Sequence, residues 1–128
     1  MNNLQEYVDQ CVAELSGPNA FRARHSLAEA GPAALPLVID AFNATNDPNI
    51  RLSLVQLISE YRSGDALPFL QDALRDTNVS IWKAALDGFV ILGTPEALHA
   101  LHTARASATQ MQRVWFDEAL AQINANLE

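Results

Sequence analysis

The feature that most constrains this chain is a short leucine-centred phrase that returns at a near-constant interval. Ala33-Ala34-Leu35-Pro36-Leu37-Val38 comes back as Asp65-Ala66-Leu67-Pro68-Phe69-Leu70, and again as Glu96-Ala97-Leu98-His99-Ala100-Leu101. Its central leucines fall at 35, 67 and 98, steps of 32 and then 31. Self-similarity at such a period means that one supersecondary unit is copied and stacked, because each unit has an apolar face it cannot bury alone. Architecture is far more legible here than the biological role.

The copied unit reads as a pair of helices. Apolar residues recur three and four apart in every segment between turn signals, the helical period and not the strand period. The first helix, about 3–15, carries Leu4, Tyr7, Val8, Cys11, Val12 and Leu15 on one face. Ser16-Gly17-Pro18-Asn19 ends it, and a helix from Ala20 to Ala30 turns Ala23, Leu27 and Ala30 inward. Gly31-Pro32 breaks the chain and opens a helix to Asn43 with Leu35, Val38, Ile39 and Phe42 inward, proline being suited to a first helical turn. Asp47-Pro48 is the clearest boundary, an N-cap followed by proline, ahead of Ile50, Leu54, Leu57, Ile58 and Tyr61. Asp65–Arg75 forms the next helix, with Leu67, Leu70 and Leu74 as its core. Val79–Leu92 follows with Ile81, Ala85, Phe89 and Leu92 inward. Thr94-Pro95 repeats the cap-and-proline device before a helix to Arg105 with Leu98 and Leu101 as core positions. Ser107 to Thr109 open a last helix, whose buried face is expected at Trp115, Ala119, Leu120 and Ile123.

The fold expected is therefore all-α: a short α-solenoid of stacked antiparallel helix pairs with a capping helix at each end. One domain spans 1–128, with a cap at about 3–15, repeats at about 17–45, 46–77 and 78–106, and a second cap at about 108–127. Connections of two to four residues force sequential helices to lie antiparallel. Leu127 and Glu128 are set aside as residues that a cloning site would add.

Composition narrows the function classes. The net charge is −7 and Lys83 is the single lysine, which argues against nucleic acid, whose binding rests on clustered Lys and Arg. With Cys11 alone, no intrachain disulfide can form, and a cytoplasmic home is expected. No basic-then-apolar leader and no long apolar span stand in the sequence, so neither secretion nor a membrane anchor is expected. No Gly-rich phosphate loop, serine elbow or Cys–His pairing occurs, so neither catalysis nor a cofactor is expected.

The repeats resemble HEAT repeats, specifically the short HEAT-like type named after phycobilisome lyase subunits. The first-helix pattern of that type is met by Ile50-Arg51 leading to Leu54, Leu57 and Gly64, and by Ile81-Trp82 leading to Ala85, Phe89, Leu92 and Gly93. The second-helix pattern is met by Ala66-Leu67-Pro68-Phe69-Leu70-Gln71-Asp72-Ala73-Leu74. The likeness covers roughly residues 17–106. Phe21-Arg22 in the first repeat is out of register, and Trp82 stands where the family has arginine. The resemblance implies a bacterial-style scaffold or adaptor whose second helices line a concave, partner-binding face.

That face would present Ile39, Asp40 and Asn43, then Gln71, Asp72 and Arg75, then His99, His102 and Thr103. Asp40 and Asp72 lie one repeat apart and would suit a basic patch on a protein partner, with apolar contact from Ile39, Pro36 and Pro68. His99 and His102 stand three apart on one helix, but without a third or fourth ligand they read as surface histidines and no metal is expected. Trp82 is a candidate second hot spot if it points outward; its place at the edge of the seam favours packing. The reading is a protein-interaction module. Its rivals are an immunity- or antitoxin-like protein masking a cationic toxin, and a chromophore-lyase subunit, which the family name alone brings in.

Overall fold

The computed structural model describes residues 3–128, and these fold into eight α-helices with no strand among them. They are α1 (Asn3–Glu14), α2 (Ala20–Glu29), α3 (Leu35–Ala44), α4 (Pro48–Glu60), α5 (Leu67–Ala73), α6 (Val79–Leu92), α7 (Pro95–Arg105) and α8 (Gln110–Leu127).

Two kinds of helix start alternate along the middle of the chain. Asp47 accepts from the N–H groups of Asn49 and Ile50 at 2.9 and 3.3 Å and so caps α4. Asn78 accepts from Ser80 N–H at 2.8 Å at the start of α6, and Thr94 accepts from Ala97 N–H at 3.1 Å at the start of α7. Thr109 and Gln112 form a reciprocal capping box on α8. By contrast, α3 and α5 begin after a single 3₁₀ turn, Pro32–Ala34 and Gly64–Ala66. The sequence reading ran these two helices unbroken from Pro32 and Asp65. Pro36 and Pro68 have no N–H to give the carbonyls of Pro32 and Gly64 four residues back. Those carbonyls instead take the N–H groups of Leu35 and Leu67, which tightens the turn. At its other end α5 stops at Ala73, leaving a helix of seven residues.

The eight helices pack as two rows. One row is α2–α4–α6–α8, with α4 on α6 the most extensive helix contact in the molecule. In the other row α1 meets α3 and α5 meets α7, while Phe42 of α3 meets Phe69 of α5 edge to face at 4.9 Å. The closest chain neighbours across the rows include α1–α2, α3–α4, α5–α6 and α7–α8, so α1 and α8 extend the rows at their ends.

The sequence period returns as a period of burial. Ala23, Leu54 and Ala85, and then Leu27, Ile58 and Phe89, hold equivalent buried places in the even row. Ala34, Ala66 and Ala97, and then Val38, Leu70 and Leu101, do the same in the odd row. The odd-row helices are rotated slightly from the expected register: the alanines before the repeat leucines are buried, whereas Leu67 and Leu98 are only half-buried. Where α4 passes α6, Gly88 provides the close approach. A Cβ there would lie 2.5 Å from Ser59 Oγ and 2.9 Å from a Leu70 methyl. Ser59, the buried polar residue of the core, satisfies its hydroxyl by donating to Val55 O at 2.9 Å.

Polar links tie successive even-row helices. Arg24 reaches from α2 to Gln56 and Glu60 of α4 at 2.9 and 2.7 Å. Tyr61, at the end of α4, donates to Leu27 O of α2 at 2.7 Å.

One core assignment is corrected. Trp115 is 42% exposed, and Phe116 takes the buried stripe with Ala119, Leu120 and Ile123. From Phe116, a step of four to Leu120 and of three to Ile123 follows the 3.6-residue turn more closely than the uniform steps of four through Trp115, Ala119 and Ile123. In α1, Val8 and Cys11 are buried while Tyr7 of the same expected face is exposed.

Candidate functional site

Three clefts run one after another along α3, α5 and α7, and their linings overlap. The first, about 360 Å³, lies between α3 and α5. Ile39, Phe42, Pro68 and Phe69 give it apolar walls, and Asn43, Arg51, Asp65, Asp72 and Asp76 give it polar ones. The second, about 600 Å³, lies between α5 and α7 around Leu67, Gln71, Pro95 and His99. The third, about 500 Å³, opens where α5 and α7 meet the start of α8, with Arg75 and Thr103 in its lining. Asp72 is shared by the first and third clefts, and Gln71, Ala100 and Thr103 by the second and third.

Seven of the nine residues expected on this face line the clefts: Ile39, Asn43, Gln71, Asp72, Arg75, His99 and Thr103. Asp40 and His102 do not. Asp40 is exposed and outside the linings of all three, while Asp72 lines two of them. The acid in the first cleft comes from Asp65, Asp72 and Asp76. His99 faces the second cleft, while His102 lies within electrostatic reach of Asp117 on α8. Among the described residues no three His, Cys, Asp or Glu side chains gather as metal ligands, and no helix is long and apolar enough to cross a membrane.

The reading of the sequence missed Asp65, Phe69 and Asp76 as cleft residues. Their spacing carried a signal: with Asp72 they stand four, three and four apart, a single helical stripe. Arg51 is held inside this cleft. It pairs with Asp76 at 2.9 Å, and its guanidinium lies 4.3 Å from the centre of the Phe42 ring. The carboxylates of Asp65 and Asp72 form neither an ion pair nor a hydrogen bond among the described residues.

Trp82 takes the packed alternative: it is 2% exposed. It occupies the place of Arg51 one period on, so a buried ring replaces an ion-paired cation at that repeat. The exposed indole is Trp115, with Lys83 Nζ 3.8 Å from its ring centre and 5.9 Å from that of Trp82. Lys83 and Trp115, with Asp87 and Glu118, line a smaller cleft of about 250 Å³ between α6 and α8. Burial there pushes the Asp87 carboxyl above the ordinary carboxylate range.

No model of a known protein family matches the chain, and no curated protein matches it.

Proposed function

We propose that the chain is a short acidic α-solenoid of HEAT-like repeats and a non-catalytic protein-interaction module. It holds a segment of another protein along the face of α3, α5 and α7. The observation that carries this reading is the continuity of the three clefts, whose shared residues make one path across three helices. Concave sites with apolar walls and a few placed polar groups are where proteins take ligands. An extended segment suits clefts joined through shared lining residues better than a compact small molecule does. The acidic lining of the first cleft favours a partner of opposite charge, and this is also the property a toxin-masking protein would use.

The test is a display library of short random peptides selected on the immobilised protein, with Gln71→Trp/Thr103→Trp as comparison. Both substitutions fill the central clefts without changing charge, and the two proteins must melt alike. Peptides that bind the wild type and are lost on the filled variant support the reading. Peptides held equally by both, or no enrichment at all, overturn it.

A further inference from the structure

We propose that the cleft between α3 and α5 is an arginine pocket: it takes an arginine side chain from the bound segment and sets which segments this protein recognises. The inference rests on the reading that the α3–α5–α7 face binds a protein segment, and it names the chemistry that the segment brings.

The pocket is apolar in its walls and acidic in its polar groups. Ile39, Pro68 and the ring of Phe69 supply surfaces on which the three methylenes of arginine can lie. Three aspartates line the cleft against one arginine, Arg51, and that cation is already matched by Asp76. Asp65 and Asp72 form no ion pair among the described residues, and Arg51 is the one cation in the lining of this cleft. The cleft thus has an unbalanced charge of two carboxylates beside an aromatic wall, and the complement is a cation on an apolar stem. Arginine meets it better than lysine, because its planar guanidinium is weakly hydrated, stacks on rings and can bond two carboxylates through one fork.

Arg51 displays the same chemistry within the molecule. It approaches from α4, stacks on Phe42 and bonds Asp76, so one guanidinium already occupies one side of this cleft between an aromatic ring and an aspartate. Phe69, Asp65 and Asp72 line the same cleft and bring the same kinds of group, a ring and carboxylates, with no second cation in its lining. Phe42 and Phe69 meet edge to face, which fixes the two rings relative to one another.

The experiment uses the peptides selected on the full chain. The expected motif contains an arginine beside an apolar residue. Replacing that arginine by citrulline, which keeps the shape and removes the charge, weakens binding about tenfold or more. Asp65→Asn/Asp72→Asn gives a similar loss on the protein side, while Asp40→Asn, on the same helix row but outside the cleft, leaves affinity unchanged. Combining citrulline with the double variant gives little additional loss, because each change removes the same interaction. The exposed positions of Asp65 and Asp72 keep all variants folded, and equal melting temperatures confirm it. Peptides that need open central clefts but contain no arginine, or that bind Asp65→Asn/Asp72→Asn as tightly as wild type, overturn the arginine pocket and leave the segment-binding reading intact. If no peptide distinguishes wild type from Gln71→Trp/Thr103→Trp, the segment-binding reading falls, and the pocket falls with it.

Discussion

In the row α2–α4–α6–α8, neighbours approach so closely that a methyl group on Gly88 would meet Ser59 Oγ at 2.5 Å. In the row of α1, α3, α5 and α7, the gaps beside α5 stand open as clefts of about 360 and 600 Å³. Both rows follow one sequence period, so the difference comes from what fills the period. In α6 the buried set wraps around the helix and includes Ala84, Ala85 and Gly88, small residues that let a neighbour come near. In α5 the helix is seven residues long, begins on a 3₁₀ turn forced by Pro68, and cannot span the gap to α3 along its length. Both rows contribute to the core, but the odd row leaves the larger clefts, those beside α5.

The comparison is tested hardest by removing a ring from each row. Phe89→Ala deletes a fully buried side chain from the close-packed row and is expected to cost about 4 kcal/mol. Phe69→Ala deletes a cleft wall whose surroundings are already open on one side, and about 2 kcal/mol is expected. Urea unfolding measures both. Equal losses would mean that the open row is as tightly coupled as the closed one.

A smaller effect sharpens the same point. Gly88→Ala brings a helix-propensity gain of about 1 kcal/mol but forces Ser59 or Leu70 to move, and a net loss of about 1–2 kcal/mol is expected. Ser59→Ala in that background removes the nearer atom and should restore part of the loss. A thermodynamic cycle of the four proteins reads the coupling directly, and zero coupling would place the strain elsewhere.

Tyr61 tests the polar link between α2 and α4. Burial, with a smaller contribution from the charge of Glu60, pushes its hydroxyl up to about 12 from an ordinary value near 10. The folded chain therefore keeps this proton after the unfolded chain has lost it. The stabilisation is complete below about pH 10 and is lost as pH rises towards about 12. Tyr61→Phe should cost about 1 kcal/mol at neutral pH through the lost bond to Leu27 O. The gap between wild type and variant should close as pH rises through that window. A constant gap would mean that the hydroxyl does not ionise from the folded state there.

How far the sequence announced all this depends on the row. Side-chain caps such as Asp47 and Thr94 act within a few residues, and they marked the starts of α4 and α7 directly. The shortening of α5 was written in Pro68, but it depends on which carbonyl that proline fails to satisfy. The exchange of Trp115 for Phe116 is a rotation of roughly 100° about α8, one residue of helical turn. Trp115 and Phe116 are both large and apolar, so only the neighbour decides which is inside, and α8 meets both α6 and α7. The choice of α3, α5 and α7 came from the resemblance to HEAT-like repeats, and their core positions then named Ile39, Gln71, Asp72 and His99 beside them. Asp65 and Asp76 lie just beyond the ends of α5 yet keep the helical spacing of Asp72, and their stripe went unread because the face was set from the core leucines.

The smallest expected effect separates charge from packing. Arg105 and Asp117 join α7 to α8 through two hydrogen bonds, the longer at 3.1 Å, and both remain substantially exposed. The bond from Arg105 holds the Asp117 carboxyl below the usual carboxylate range. Its stabilisation is present above the ordinary carboxylate pKa and is lost as pH falls through the lowered one. Solvent and salt screen such a pair, so Asp117→Asn should leave the melting temperature unchanged at high ionic strength and lower it only slightly at low ionic strength. Arg51→Gln is the contrasting case, because the Arg51–Asp76 pair is mostly buried in the cleft wall and the guanidinium also stacks on Phe42. About 1–2 kcal/mol is expected there, with little salt dependence. If Asp117→Asn proves the more damaging of the two, the open row is held by its charged rim, and the clefts beside α5 owe their shape to surface pairing and not to Pro68 and the length of the helix.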